Sequence, residues 1–271
     1  MIGVFDSGFG GLTVLKELLR QLPEYDYLYL GDNARAPYGN RSHDSVKQFA
    51  EEGIKYLFGQ GCVLIIVACN TASAQVLREL QEEYLRKPNV TDRKILGVIK
   101  PIVEEAVNLT KNNTVGVIGT RSTINAKSYE VELHHLNPKL KVCTQSCPLL
   151  VPLVEEGWID KPETRMILKK YLRSIKSCNI DTLLLGCTHY PLLMKEIKKI
   201  MGRNIKVPSP GKIVAASLAD YLSRHPEIET LLTKKEKRLF NTTDDADRFK
   251  SMATRFLGQT VKDVTRVDIG G

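Results

Sequence analysis

Two aliphatic runs in this chain of 271 residues each end on a cysteine followed by small or polar residues. They are Ile65-Ile66-Val67-Ala68-Cys69-Asn70-Thr71-Ala72 and Leu183-Leu184-Leu185-Gly186-Cys187-Thr188-His189-Tyr190-Pro191. Runs of this kind read as strands buried on both faces, each leading through a polar turn into a helix. Such strands belong to parallel sheets, which need helices over both sides, so the chain is constrained to an alternating α/β fold. Backbone N–H groups at the helix starts would stabilise a thiolate or an anion. One buried cysteine is ordinarily a small apolar residue. The same context at two strand ends points instead to one site with a thiol on each side.

The rest of the chain follows the same alternation. Residues 2–6, 27–30, 63–68, 94–99, 114–120, 141–144 and 182–186 read as strands. Helices fit from Leu12 to before Pro23, Ser42 to Gly59, Ala72 to near Lys87-Pro88, Pro101 to Leu109, after Pro148, Pro162 to Lys176, and from 211 through Leu222. The tail reads as strand-poor, with a helix near 244–257 and a last strand at Thr265–Ile269. Asp6 to Cys69 spans 63 residues and Thr120 to Cys187 spans 67, similar intervals between matching strand ends. This predicts two pseudo-symmetric, mostly parallel-sheet α/β domains with the active site in the cleft between them. The first comprises 1–94 and 207–271, the second 95–206. In open α/β sheets ligands bind beyond the carboxyl ends of the strands, where Asp6, Ser7, Cys69, Thr120 and Cys187 all fall.

Composition narrows the function classes. A hydrophobic content of 42% with 26% charged residues is globular, and no uncharged apolar run is long enough to span a membrane. The chain opens on a strand with no signal-like segment, so a cytoplasmic location is expected. Six scattered cysteines predict reduced thiols, and none sits at zinc-ligand spacing, so no metal site is expected. The net charge of +8 comes without an aromatic-interleaved basic stripe or a nucleic-acid motif. It reads as a solvated basic surface rather than a nucleic-acid partner site. Gly8-Phe9-Gly10-Gly11 lacks the spacing and the lysine of a phosphate loop.

A thiol on each side of a cleft suits removal of a proton from one face of a carbon and its return to the other. Asp6, near Cys69, and His189, two residues after Cys187, are placed to tune or relay those protons. An Asx turn is the competing role for Asp6, and a core position for His189. The hydroxyls and turn amides of Ser7, Tyr38, Gly39, Asn70, Thr71, Thr120, Thr123 and Thr188 suit carboxylate and ammonium groups.

Together, Asp6-Ser7-Gly8-Phe9-Gly10-Gly11-Leu12, Pro37-Tyr38-Gly39, Ala68-Cys69-Asn70-Thr71-Ala72 and Gly186-Cys187-Thr188-His189-Tyr190-Pro191 resemble the bacterial glutamate racemases. The resemblance is collinear over nearly the whole chain and includes Pro152-Leu153-Val154-Glu155-Glu156-Gly157 and Phe240-Asn241-Thr242-Thr243. It implies a cofactor-independent racemase that interconverts L- and D-glutamate and supplies D-glutamate for peptidoglycan, working as a homodimer. It implies Cys69 and Cys187 as the proton-transfer residues, with Asp6, Glu155 and His189 as auxiliaries. Substrate contacts would fall on Asp6, Ser7, Tyr38, Gly39, Asn70, Thr71, Thr120, Thr123, Thr188 and His189. Members often carry an aspartate in the segment matching Val207-Pro208-Ser209-Pro210-Gly211, where this chain has serine and prolines. Relatives controlled by a cell-wall precursor carry a leader before the first strand, so that control is not expected here. The residues alone also admit a racemase of another acidic amino acid such as aspartate, a cysteine hydrolase, or a non-catalytic amino-acid-binding module.

Overall fold

The computed structural model describes residues 1–85 and 92–270. The chain begins with β1 (Ile2–Asp6), α1 (Leu12–Gln21) and β2 (Tyr27–Gly31), then two 3-10 turns at Asn33–Arg35 and Tyr38–Asn40. It continues through α2 (His43–Gly59), β3 (Leu64–Val67), α3 (Asn70–Gln75), α4 (Leu77–Leu85), β4 (Lys94–Gly97) and α5 (Ile99–Leu109). Next come β5 (Thr114–Gly119), α6 (Arg121–Asn125), α7 (Ser128–Leu136), β6 (Lys141–Ser146), α8 (Leu150–Glu155), α9 (Pro162–Ser177), β7 (Thr182–Gly186) and α10 (Met194–Met201). The tail holds α11 (Pro210–Arg224), α12 (Pro226–Glu229), β8 (Arg238–Thr242), α13 (Ala246–Leu257) and the two-residue β9 (Thr265–Arg266).

All pairings between these strands are parallel. One sheet has the order β4-β3-β1-β2-β8-β9 and the other β6-β5-β7. In both, the first strand in sequence has the second on one side and the cysteine-ended third on the other. That shared order is the pseudo-symmetry the two cysteine runs implied.

Strand alternation divides the larger sheet between two apolar layers. Ile2, Val4, Tyr27, Tyr29, Leu64 and Ile66 join a core that runs through both halves of the molecule. Phe5, Leu28, Leu30, Ile65 and Val67 point the other way, under α2 and α4. This is the two-sided burial that a parallel sheet demands. Local chemistry sets several helix starts. The Ser42 hydroxyl accepts from Ser45 N at 3.3 Å, and the Asp245 carboxylate accepts from Arg248 N at 2.8 Å. Pro162 occupies the first turn of α9, where its missing N–H costs nothing.

The structure departs from the sequence reading at several points. β4 is the edge partner of β3, so the expected division at 94/95 cuts a strand that belongs to the first sheet. The helix from Ala72 is two helices, broken where Val76 takes φ −129°. Its expected end near Lys87-Pro88 lies outside the described residues. α6 and α7 were hidden in a hydroxyl-rich stretch, separated by Lys127 in the left-handed region at φ 55°. In the tail, β8 pairs with β2, although only five residues long and partly polar. Cys143 and Cys178 form a disulfide with Cα atoms 6.5 Å apart, against the expectation that all six thiols are reduced. Packing of the end of α9 on β6 brings the two together across 35 residues of sequence, a proximity that spacing alone does not show.

Leu15 on α1 is 1% exposed within the continuous core. Leu15→Ala is expected to cost about 2–5 kcal/mol through lost burial and the cavity left behind, read as a lower midpoint in urea unfolding.

Candidate active site

The segments that follow β1, β2, β3, β5, β6 and β7 converge on one pocket lined by Ser7, Tyr38, Gly39, Cys69, Asn70, Thr71, Thr120, Glu155, Cys187, Thr188 and His189. These are the residues singled out from the sequence, with two exceptions. Asp6 lies behind the wall, fully buried, and Thr123 touches the pocket only through its neighbours. Gly8, Ala36, Pro37 and Val151 complete the lining. The cavity measures about 30 Å³, room for about two waters.

On the Cys69 side, the residue stands at the N-cap position of α3 and its thiol donates to Ser7 Oγ at 3.4 Å. Burial pushes this thiol up to about 12, and the neighbouring Asp6 carboxyl adds to the shift. Asp6 accepts from Gly8 N at 3.1 Å, an Asx turn, while Thr188 Oγ1 donates to its other oxygen at 3.4 Å. The Asx turn weighed from the sequence is therefore present. Burial raises the pKa of Asp6 from the ordinary carboxylate value, opposed by His189 and the amides of Gly11 and Gly8.

On the Cys187 side, His189 Nδ1 lies 4.0 Å from the sulfur and Nε2 lies 2.9 Å from Glu155 Oε1. Burial alone would lower this imidazole. The sulfur and the carboxylate outweigh it and hold the pKa up to about 10. His189 is thus an imidazolium at neutral pH, a positive charge set beside one thiol and not the other. Its seat depends on Gly10. A Cβ there would collide with Thr188 Oγ1 and come within 2.5 Å of His189 Nδ1.

Polar contacts close the pocket across the two halves. Thr71 Oγ1 lies 3.1 Å from Thr120 Oγ1 and 3.3 Å from Thr123 Oγ1, and those two are 2.9 Å apart. Ser122 Oγ donates to Gly39 O at 2.9 Å, and Tyr129 Oη donates to Asn70 Oδ1 at 2.6 Å. Gly39 itself faces Thr120, whose Cβ would stand 2.8 Å from any side chain added there.

Asp32 and Tyr129 were not found from the sequence. Asp32 is fully buried. Its carboxylate accepts from Tyr38 Oη at 2.5 Å, Arg35 Nε at 2.8 Å and Thr243 Oγ1 at 2.9 Å. It immediately follows β2, and that position at a strand's carboxyl end was the available signal. Tyr129 had none, since it sits in a helix the sequence reading omitted. Among the described residues no group of three or more His, Cys, Asp or Glu is placed to hold a metal ion.

Residues 2–218 match the family model described as Asp/Glu/Hydantoin racemase. The chain belongs to that family. It is 39% identical to the glutamate racemase of Geobacter metallireducens over 268 residues, covering 99% of this chain and 96% of the relative. It is 42% identical to that of Persephonella marina over 260 residues, covering 96% and 94%. Among solved structures it superposes on glutamate racemase isoform RacE1 from Bacillus anthracis with TM-score 0.90 and 38% identity, over 99% of this chain and 97% of that one. The Francisella tularensis glutamate racemase in complex with D-glutamate gives TM-score 0.88 and 36% identity, again over 99% and 97%.

The His189 charge carries a stability signature. A histidine whose folded pKa is raised contributes stability that is complete below its unfolded value, about 6.5, and is lost as pH rises to its folded value. Here that upper limit is about 10. The stability gap between wild type and His189→Asn is therefore expected to be widest in acid and to shrink steadily through this window. Urea unfolding at successive pH values measures it, and a gap that stays constant would contradict the assignment.

Proposed function

We propose that this chain is a glutamate racemase that moves the α-proton by way of Cys69 and Cys187. The observation that carries the reading is that two thiols, at equivalent strand ends of two related sheets, line the same buried pocket. With the α-carbon between them, the thiolate on one side takes the α-proton and leaves a carbanion. The S–H on the other side then protonates the opposite face. The enzyme emerges with its charge on the second sulfur, and proton exchange through His189, Asp6 or water resets it.

The two sides are not equivalent before substrate arrives. The imidazolium of His189 offers Cys187 a counter-ion in a dry site, while buried Cys69 keeps its proton. Hydroxyls of Ser7, Thr71, Thr120 and Thr188, with the amides beside them, hold the substrate carboxylates. Both proton positions are protein side chains, so the reading requires no cofactor. A cavity of about 30 Å³ is far too small for an amino acid, so the halves part to admit glutamate and close to exclude water. Homodimerisation, a cytoplasmic location and supply of D-glutamate to peptidoglycan are part of the same proposal, and they rest on likeness to the glutamate racemases. No described helix is long and apolar enough to cross a membrane.

Proton NMR in D₂O tests the reading. L-glutamate and D-glutamate, incubated separately, should each lose the α-proton signal as the other enantiomer accumulates. Cys69→Ser and Cys187→Ser should each lower inversion by about 10²–10⁴-fold, the usual contribution of a placed acid or base. Inversion at wild-type rate in either variant would sink the two-thiol mechanism. Exchange with aspartate and none with glutamate would move the substrate assignment.

A further inference from the structure

The charge of this protein is not evenly spread. α9 and α10 together carry eight basic side chains and two carboxylates, a net of +6 out of the chain's +8. The two helices enclose a groove of about 700 Å³ lined by Arg165, Lys169, Arg173, Lys176, Glu196, Lys199 and Ile200, apart from the cysteine pocket. Cations at 165, 169, 173 and 176 recur at helical spacing, so they share one face of α9 over about 16 Å. Lys199 faces them from α10.

The carboxylate in the groove is already engaged. Glu196 is buried, and its Oε2 accepts from Arg165 Nε at 2.7 Å, which fixes the guanidinium and leaves its terminal nitrogens free to turn toward a ligand. Lys176 Nζ donates to Ile200 O at 3.0 Å and closes one end. Among the described residues, Lys169, Arg173 and Lys199 meet no carboxylate within ion-pair distance. Like charges four apart on a helix disfavour one another, and among the described residues no carboxylate pairs with Lys169 or Arg173 to offset them. An anion would.

We propose that this groove binds a small, multiply phosphorylated anion. Its volume falls in the range of small-molecule sites, about 300–1,000 Å³. Arg165 and Arg173 offer planar donor forks suited to phosphate oxygens, and the lysines supply point charges between them. None of the lining residues is aromatic, so the groove has no platform for stacking the bases of a nucleic-acid strand. The site is independent of the racemase reading, since none of its residues belongs to the cysteine pocket.

Calorimetric titration of the full chain at low ionic strength, with inorganic triphosphate and with ADP as separate probes, decides it. Saturable one-to-one binding is expected, weakened at least tenfold in Lys169→Gln/Arg173→Gln and measurably in Lys199→Gln. The equally charge-reduced control Lys250→Gln/Lys262→Gln should bind as wild type. Tighter binding of ADP than of triphosphate would identify a nucleotide as the source of the phosphates, and equal binding would identify the phosphates alone. No saturable binding of either probe, or equal weakening in the control, would overturn the proposal. Tighter binding of a single-stranded oligonucleotide, lost in the same variants, would replace the small ligand with nucleic acid.

Discussion

His189 sits between a sulfur and a carboxylate where water is almost excluded, and the charge balance of the pocket depends on that seat. In a low-dielectric site an imidazolium survives only with compensating partners, and Glu155 at 2.9 Å is the stronger contact. Glu155 ends α8, which follows β6 through Cys147. Tyr190 Oη donates to Cys147 O at 2.9 Å and fastens the segment after β7 to the one after β6. The ring's edge rests against Phe256 of α13, with centroids 5.9 Å apart. A single charge is thus held by pieces of chain drawn from the middle and the end of the sequence.

The opposite wall has its own anchor. Asp32 ties the Tyr38 loop to the tail through Thr243, while Arg35 reaches from Asp32 to Glu52 on α2. Burial and the adjacent carboxylate raise the Tyr38 pKa, so the phenol keeps its proton and remains the donor. This explains why the tail returns to pair β8 with β2. The strand brings Thr242 and Thr243 to the loop that shapes the pocket, and a chain lacking them would leave Asp32 buried with fewer donors.

Much of this was legible before any coordinates. The two cysteine-ended runs predicted the parallel sheets, because long β-branched or leucine-rich stretches with abrupt polar ends have few other solutions. They also predicted convergence of the site, because ligands gather at strand carboxyl ends. Glu155, named as an auxiliary by the resemblance, lies against His189. What could not be read were relations between distant pieces of chain. β8 is short and half polar, and its identity comes from lying beside β2. The Cys143–Cys178 link exists because α9 packs on β6. Asp32 looks like any acid after a strand until Tyr38, Arg35 and Thr243 are seen around it. The basic residues of α9 and α10 looked dispersed along the sequence, and only packing gathers them.

The apolar layer that runs from the first sheet into the second has a mechanical meaning. Val14, Leu15 and Leu18 of α1, Val214 and Leu218 of α11, Ile102 and Val103 of α5, and Val115, Val117 and Leu184 of the smaller sheet belong to one unbroken core. Contacts at the cleft, by contrast, are a handful of hydroxyls and amides that water can replace at little cost. The two halves are therefore joined by a shared apolar core and, at the pocket, by hydroxyl and amide contacts. Loss of those cleft contacts alone would leave the apolar residues of both halves in their shared core, so the fold does not depend on the grip of the pocket.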